Sequence, residues 1–344
     1  MARILITHPM DRSTILKLGL NRKFFLIPEE IFYRNNGNEE IIYIPNISLK
    51  QIPDEHYDPS LEVLCQALTI IRPDVLIVGN NAVPRMAIAA WRTAIGYDRK
   101  LLIIRRGVDT RAIDKVAAEK YRVCVDNLPG INSPYVAKHM SKYLKLNEAQ
   151  PGSKLAVLGV GNIGKHIAIE GINNNLEVHL FSPSLQDSYK RELILWQRGI
   201  PRKKVTCAES IDRLLAGATH VAISIPWENG NRSTNADIIN EHQIRSLAPN
   251  GKIVSASVPK VFSEGAIALM NERVRLGKML VRIDTSKRHV DETKKNYPCL
   301  DLAHDVAFAA SECQQDLDRA MLEKARKFAQ IPVQERFKGW ILAG

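Results

Sequence analysis

Leu155-Ala-Val-Leu-Gly159-Val-Gly161-Asn-Ile-Gly164-Lys-His-Ile-Ala168 is the stretch that decides the fold of this chain. A short apolar run leads into G-x-G-x-x-G, and a helix-forming run follows it. Each glycine has a mechanical reason: Gly159 makes the tight turn, Gly161 admits a pyrophosphate close to the backbone, and Gly164 lets helix and strand pack closely. The backbone N–H groups of Asn162 and Ile163 then lie at a helix N-terminus, where they point at the phosphates. Three glycines alone make only a glycine-rich turn. Here a strand precedes them, a helix follows, and a second strand at 177–181 completes a βαβ unit with the spacing of a dinucleotide site.

Working outward, strand-like runs at 204–207, 220–225, 252–256, 279–283 and 300–303 supply a complete doubly wound parallel Rossmann sheet. Upstream, runs at 3–7, 75–78, 101–104 and 122–125, with a helix at 82–91, predict a second, smaller α/β domain of flavodoxin-like type. Residues 35–54 read as a loop region around one strand at 41–44. The turn-rich segment 148–153 is the expected hinge, and 308–329 forms a long helix with Ala309, Leu317, Met321, Ala325 and Phe328 on its apolar face. The expected division is 1–145, completed by 308–344, as substrate domain, and 146–307 as nucleotide-binding domain. Cofactor and substrate would meet between them.

The chain has 344 residues, a net charge of +11 and 45% hydrophobic residues, which excludes a disordered or collagen-like chain. No apolar run has the length of a membrane span and the N-terminus enters a strand pattern directly, so a cytoplasmic protein without a membrane partner is expected. The basic clusters, such as Arg202-Lys203-Lys204, are short and lack interleaved aromatics, which argues against nucleic acid. Five scattered cysteines without a CxxC pair predict reduced thiols and no metal site.

From about 103 to 328 the order of motifs resembles the D-isomer-specific 2-hydroxyacid dehydrogenases. The resemblance rests on Arg106-Gly107-Val108 with Ala112-Ile-Asp114, on Asn127-Leu-Pro-Gly-Ile-Asn132, on the glycine-rich turn, on Ile225-Pro226, on Asp284 and on Leu302-Ala-His304. It implies that backbone amides at Gly107 and Val108 hold a substrate carboxylate. It also implies that Pro226 and Asp284 lie along the cofactor, Asp284 near the nicotinamide carboxamide, and that His304 exchanges the proton as hydride moves. The family's arginine falls at Val258 and its glutamate near His289, with Asp291 or Glu292 reached only by a loop shift. Lys260, Arg105 and Arg106 are the substitute cations. Sequence between His139 and Gly152 is short for the family, which points to a homodimer with a non-standard interface.

At the end of the second strand, where a carboxylate would accept from the ribose of NAD, the chain has Ser182. A serine does not repel a 2′-phosphate, so the cofactor is expected to be NADP or NAD, with NADP preferred. Lys190 and Arg191 are candidates for pairing with the phosphate, or are exposed helix charges. The expected activity is hydride transfer between a nicotinamide cofactor and a 2-keto or 2-hydroxy acid, in a biosynthetic role. The alternative is a catalytically silent dinucleotide-binding protein acting as a redox sensor or scaffold.

Overall fold

The β-branched runs form two seven-stranded sheets among the described residues of the protein, seen in a computed structural model. The structure describes residues 2–8, 10, 15, 22–27, 29–35, 39–44, 59–79, 81–108, 110–227, 234–304 and 311–330. The chain divides into two units, Met1–Ile131 with Ser311–Gly344, and Asn132–Ala310.

In the first unit, β1 (Ala2–Ile6), β4 (Glu39–Tyr43), β5 (Val75–Val78), β6 (Leu101–Arg105) and β7 (Val123–Asn127) are parallel, in the order β4-β1-β5-β6-β7. This is the flavodoxin-like order. Two further strands, β2 (Arg22–Ile27) and β3 (Glu29–Asn35), add an antiparallel edge beside β4. The sequence reading assigned no element to 22–34, so this antiparallel edge is an addition to it; of its loop region 35–54 the one expected strand is β4, and positions 36–38 and 45–54 lie outside the described residues. Arg92 is buried here because its guanidinium donates to four carbonyls, those of Gly96, Arg99, Tyr121 and Arg122, at 2.6–2.8 Å.

The helix Ser311–Gln330 buries Leu317, Met321, Ala325 and Phe328, while Phe308 and Ala309 of the expected helix lie outside the described residues. Polar ties join this helix to the strands. Lys324 meets Asp126 at 2.8 Å, and Arg326 holds Glu39 through two bonds of 2.8 Å. The second tie keeps the Glu39 carboxyl below its ordinary range.

In the second unit, β8 (Lys154–Leu158), β9 (Glu177–Phe181), β10 (Val205–Cys207), β11 (His220–Ile223), β12 (Lys252–Ser255), β13 (Leu280–Thr285) and β14 (Asp301–His304) are all parallel. Their order, β10-β9-β8-β11-β12-β13-β14, is that of a doubly wound nucleotide-binding sheet with one strand added. Helix Ser133–Leu144 belongs to this unit because Val136, Ala137, Met140 and Leu144 pack with Leu155, Val157 and Ile167. The chain therefore crosses between units at 131/132, not at the expected hinge of 148–153. That segment is fastened by the Gly152 amide to Asn175 O at 3.0 Å. All five cysteines are free thiols. No helix among the described residues is long and apolar enough to cross a membrane.

His220 lies at the start of β11 and is 5% exposed. Thr219 Oγ1 donates to Lys154 O, so His220 Nδ1–H donates to Thr219 Oγ1 at 2.9 Å, and Nε2 faces Lys252 Nζ at 3.5 Å. Burial and the Lys252 charge push the imidazole down to about 4. The folded state thus keeps His220 neutral while the unfolded chain protonates it below its ordinary value. Stability should fall as pH drops from about 6.5 to about 4, by up to about 3 kcal/mol. Urea titrations of wild type and His220→Gln across that window should show this slope in wild type and a shallower one in the variant.

Candidate functional site

The carboxyl ends of β8, β9 and β11 meet around the glycine-rich turn. The Gly159 amide donates to Phe181 O, the Ser224 amide to Leu158 O, and Ser224 Oγ to Gly159 O at 3.0 Å. Gly159 has φ +88°, and a Cβ there would lie 2.5 Å from Ser224 O, so the position requires glycine. A Cβ on Gly164 would lie 1.9 Å from Gly159 O. Gly164 therefore makes room for the turn itself, while the close helix-on-strand contact falls about two turns later in the same helix, at Gly171. There a Cβ would meet Leu155 Cδ2 at 2.4 Å. Sequence reasoning gave that packing role to Gly164 and missed both Gly171 and Ser224.

Gly161 differs from its neighbours: a Cβ built there meets nothing within 4 Å. Beside that open space starts the ten-residue helix Gly164–Asn173, whose N-cap position, Ile163, provides no side-chain cap. Lys165 and His166 donate their amides to Gly161 O and Ile163 O, so the amides suited to an anion are those of Asn162, Ile163 and Gly164. The donor set fits a pyrophosphate.

Ser182 follows β9 directly, and its Oγ lies 3.1 Å from Ser184 Oγ. Lys190 is paired with Asp187 at 3.4 Å, and Arg191 Nε donates to Leu185 O at 2.8 Å, so both expected cations have local partners. The cation that reaches the serines is Arg198, whose Nη2 donates to Ser184 Oγ at 3.2 Å. Sequence reasoning did not find it.

At the other end of the sheet, Asp284 pairs in register with Ala303, and Thr285 with His304. The period-two pleat sends Asp284 to the face covered by Ser133–Leu144 and His304 to the opposite one. On the first face Arg282 binds Asp301 at 3.0 and 3.3 Å and lies 4.7 Å from the Tyr143 ring centre. Burial and the Asp301 charge push the Tyr143 phenol up to about 12. Burial, reinforced by Arg282 and opposed by Asp284, holds the His139 imidazole below its ordinary value. These contacts lock the two strands that carry Asp284 and His304.

Val258 packs at the edge of the apolar core of this unit. His289 lies in a helix, Lys287–Asn296, where its Nδ1 meets Glu292 at 3.6 Å, so the loop assumed at this place is helical. Lys260 is exposed and lines a pocket of about 420 Å³ with Trp227, Asp237, Glu292 and Tyr297. Pro226 O accepts from Asn235 Nδ2 at 2.7 Å, and Ser257 Oγ bonds both the amide and the carbonyl of Ile225, joining the ends of β11 and β12.

In the first unit, the Gly107 amide donates to Arg105 O at 3.0 Å, while Val108 O accepts from Asn127 Nδ2 at 2.8 Å. Arg106 is buried and its guanidinium donates to Asp318 at 3.1 Å and to Gln314 O at 3.3 Å. Its side chain is thus engaged by the C-terminal helix.

No family model and no curated protein matches the sequence. Solved structures do match over nearly the whole chain. D-2-hydroxyisocaproate dehydrogenase aligns with TM-score 0.65 at 14% identity, over 95% of this chain and 97% of that one. The 2-hydroxyacid dehydrogenase of Ketogulonicigenium vulgare aligns with TM-score 0.64 at 16% identity, over 96% and 97%. The NAD-dependent formate dehydrogenase of Staphylococcus aureus, solved in complex with NAD, aligns with TM-score 0.60 at 15% identity over all of both chains. With its parallel nucleotide-type sheet and flavodoxin-like partner unit, this chain has the fold of the D-isomer-specific 2-hydroxyacid dehydrogenases.

Proposed function

We propose that this protein is an NAD(P)-dependent oxidoreductase acting on a 2-keto or 2-hydroxy acid. The observation that carries the reading is the open space at Gly161 beside an uncapped helix N-terminus. Gly159, Gly161, Asn162, Ile163 and Gly164 would hold the pyrophosphate, Ser182 the adenosine ribose, and Pro226 and Asp284 the nicotinamide end. The nicotinamide supplies or accepts the hydride. His304 exchanges a proton at the substrate oxygen, and the loop of Gly107 and Val108 binds the substrate carboxylate through the Val108 amide, the Gly107 amide being held by Arg105 O, with Lys260 as the exposed cation in the turn after β12. Arg106 supports its loop from beneath. Asn132–Ala310 is then the nucleotide-binding unit and the other the substrate unit. A biosynthetic reductase, preferring NADP and working as a cytoplasmic homodimer, completes the reading.

A second reading, a silent dinucleotide binder, draws on Val258 at the edge of the apolar core and on His289 paired within its own helix. Fluorescence titration with NADPH and NADH, followed by a panel of 2-keto acids, separates the two. An enzyme shows saturable binding and substrate-dependent oxidation, and a binder shows only the first. Gly161→Ala should fold with unchanged stability, because its Cβ meets nothing, yet weaken dinucleotide binding about tenfold or more by filling the cradle. Unchanged affinity in that variant would remove the site.

A further inference from the structure

We infer that Ser182, Ser184 and Arg198 form a recognition site for the 2′-phosphate of NADP, with Arg198 the residue that sets preference over NAD. The inference rests on the dinucleotide reading above. The turn after β9 runs through the 3-10 helix Pro183–Leu185, which brings the two serine hydroxyls to 3.1 Å from each other. Arg198 caps the far end of helix Ser188–Gln197 and reaches back to this turn, where Nη2 donates to Ser184 Oγ at 3.2 Å.

The charge of Arg198 is not neutralised by any carboxylate among the described residues. Its Nη1 is buried without a hydrogen-bond partner, and burial alone lowers its proton affinity. The acid on the same turn, Asp187, is engaged elsewhere: it caps the amides of Tyr189 and Lys190 and pairs with the Lys190 ammonium. Arg191 is turned to Leu185 O. A half-buried guanidinium behind two hydroxyls is therefore the dominant local charge.

The hydrogen-bond directions follow. Arginine only donates, so Ser184 Oγ accepts from it and sends its own proton away, to Ser182 Oγ or to a ligand. One hydroxyl proton bridges the serines and the other is left to donate outward. A ribose 2′-hydroxyl gains a neutral hydrogen bond from this arrangement. A 2′-phosphate gains a charge-assisted one together with the field of the guanidinium, in partly desolvated surroundings. Because Arg198 acts through Ser184, it is a positioning residue whose signature is selectivity and not affinity in general.

The test is equilibrium binding of NADPH and NADH, which differ only in the 2′-phosphate, to the full-length chain, read by nicotinamide fluorescence. Wild type should bind NADPH roughly ten- to hundredfold tighter than NADH. Arg198→Met should bring that ratio to within about twofold of unity with NADH affinity unchanged, and Arg198→Lys should restore part of it. Equal affinities in wild type overturn the inference and leave the dinucleotide reading standing. Equal weakening of both cofactors by Arg198→Met makes the residue purely structural and overturns it too. Binding of neither cofactor by wild type overturns both. If Arg198→Met fails to fold, Ser184→Ala decides: a reduced NADPH-to-NADH ratio supports the site, and an unchanged ratio refutes it.

Discussion

Replacing His304 by alanine is expected to slow the chemical step by about 10²- to 10⁴-fold while leaving NADPH affinity within about twofold. His304 is the last residue of β14 and is exposed at the carboxyl end of a parallel nucleotide-type sheet, where ligands of such sheets bind. The strand beneath it is held by the Arg282–Asp301 pair, which fixes where its imidazole starts from. The position of the family's arginine is taken by Val258, at the edge of the apolar core, and the glutamate position by a helix whose His289 and Glu292 face each other. The proposed proton transfer therefore rests on His304, the position at which the resemblance implies a histidine. Single-turnover oxidation of NADPH by wild type and His304→Ala, once a keto acid is found, measures the effect. Equal rates would put the silent-binder reading first.

The sheet of the second unit was legible because its signals are local. Gly159 turns the chain at φ +88°, Gly164 makes room for Gly159 O five residues before it, and the strands follow at regular intervals as short β-branched runs. What was not legible depends on partners distant in sequence. Gly171 looks like any helix glycine until Leu155 and Val178 close on it from two strands. Arg198 sits 14 positions beyond Ser184 and reaches it only because helix Ser188–Gln197 folds back. Strands β2 and β3 were hidden for a different reason. They are one residue apart and their register shifts between Phe25 and Ile27, so neither a turn signature nor a clean alternation marks them. The unit boundary was misplaced because 148–153 is rich in turn residues, whereas the crossing at 131/132 is set by what the apolar face of Ser133–Leu144 packs against.

The largest stability effect is expected at Asp318, where no local sequence signal exists at all. Its Oδ1 accepts from His8 Nε2 and from Arg106 Nη2, both at 3.1 Å, and all three side chains are at least nine-tenths buried. Burial holds the His8 imidazole below its ordinary value, so the ionic partner of Asp318 is Arg106, with His8 donating as a neutral group. Asp318→Ala would leave a buried guanidinium without its counter-charge and remove the acceptor of the His8 bond, at a cost of about 3–5 kcal/mol. The isosteric Asp318→Asn keeps an acceptor and should cost less. The other ties of the same helix have more exposed cations, 28% for Lys324 and 39% for Arg326, so Lys324→Met and Arg326→Met should each cost about 1 kcal/mol or less. Urea unfolding of the full chain, followed by circular dichroism, ranks the four variants. A loss at Asp318→Ala no larger than at Arg326→Met would mean that the helix is held by Leu317, Met321, Ala325 and Phe328 alone, with the buried charges contributing nothing net.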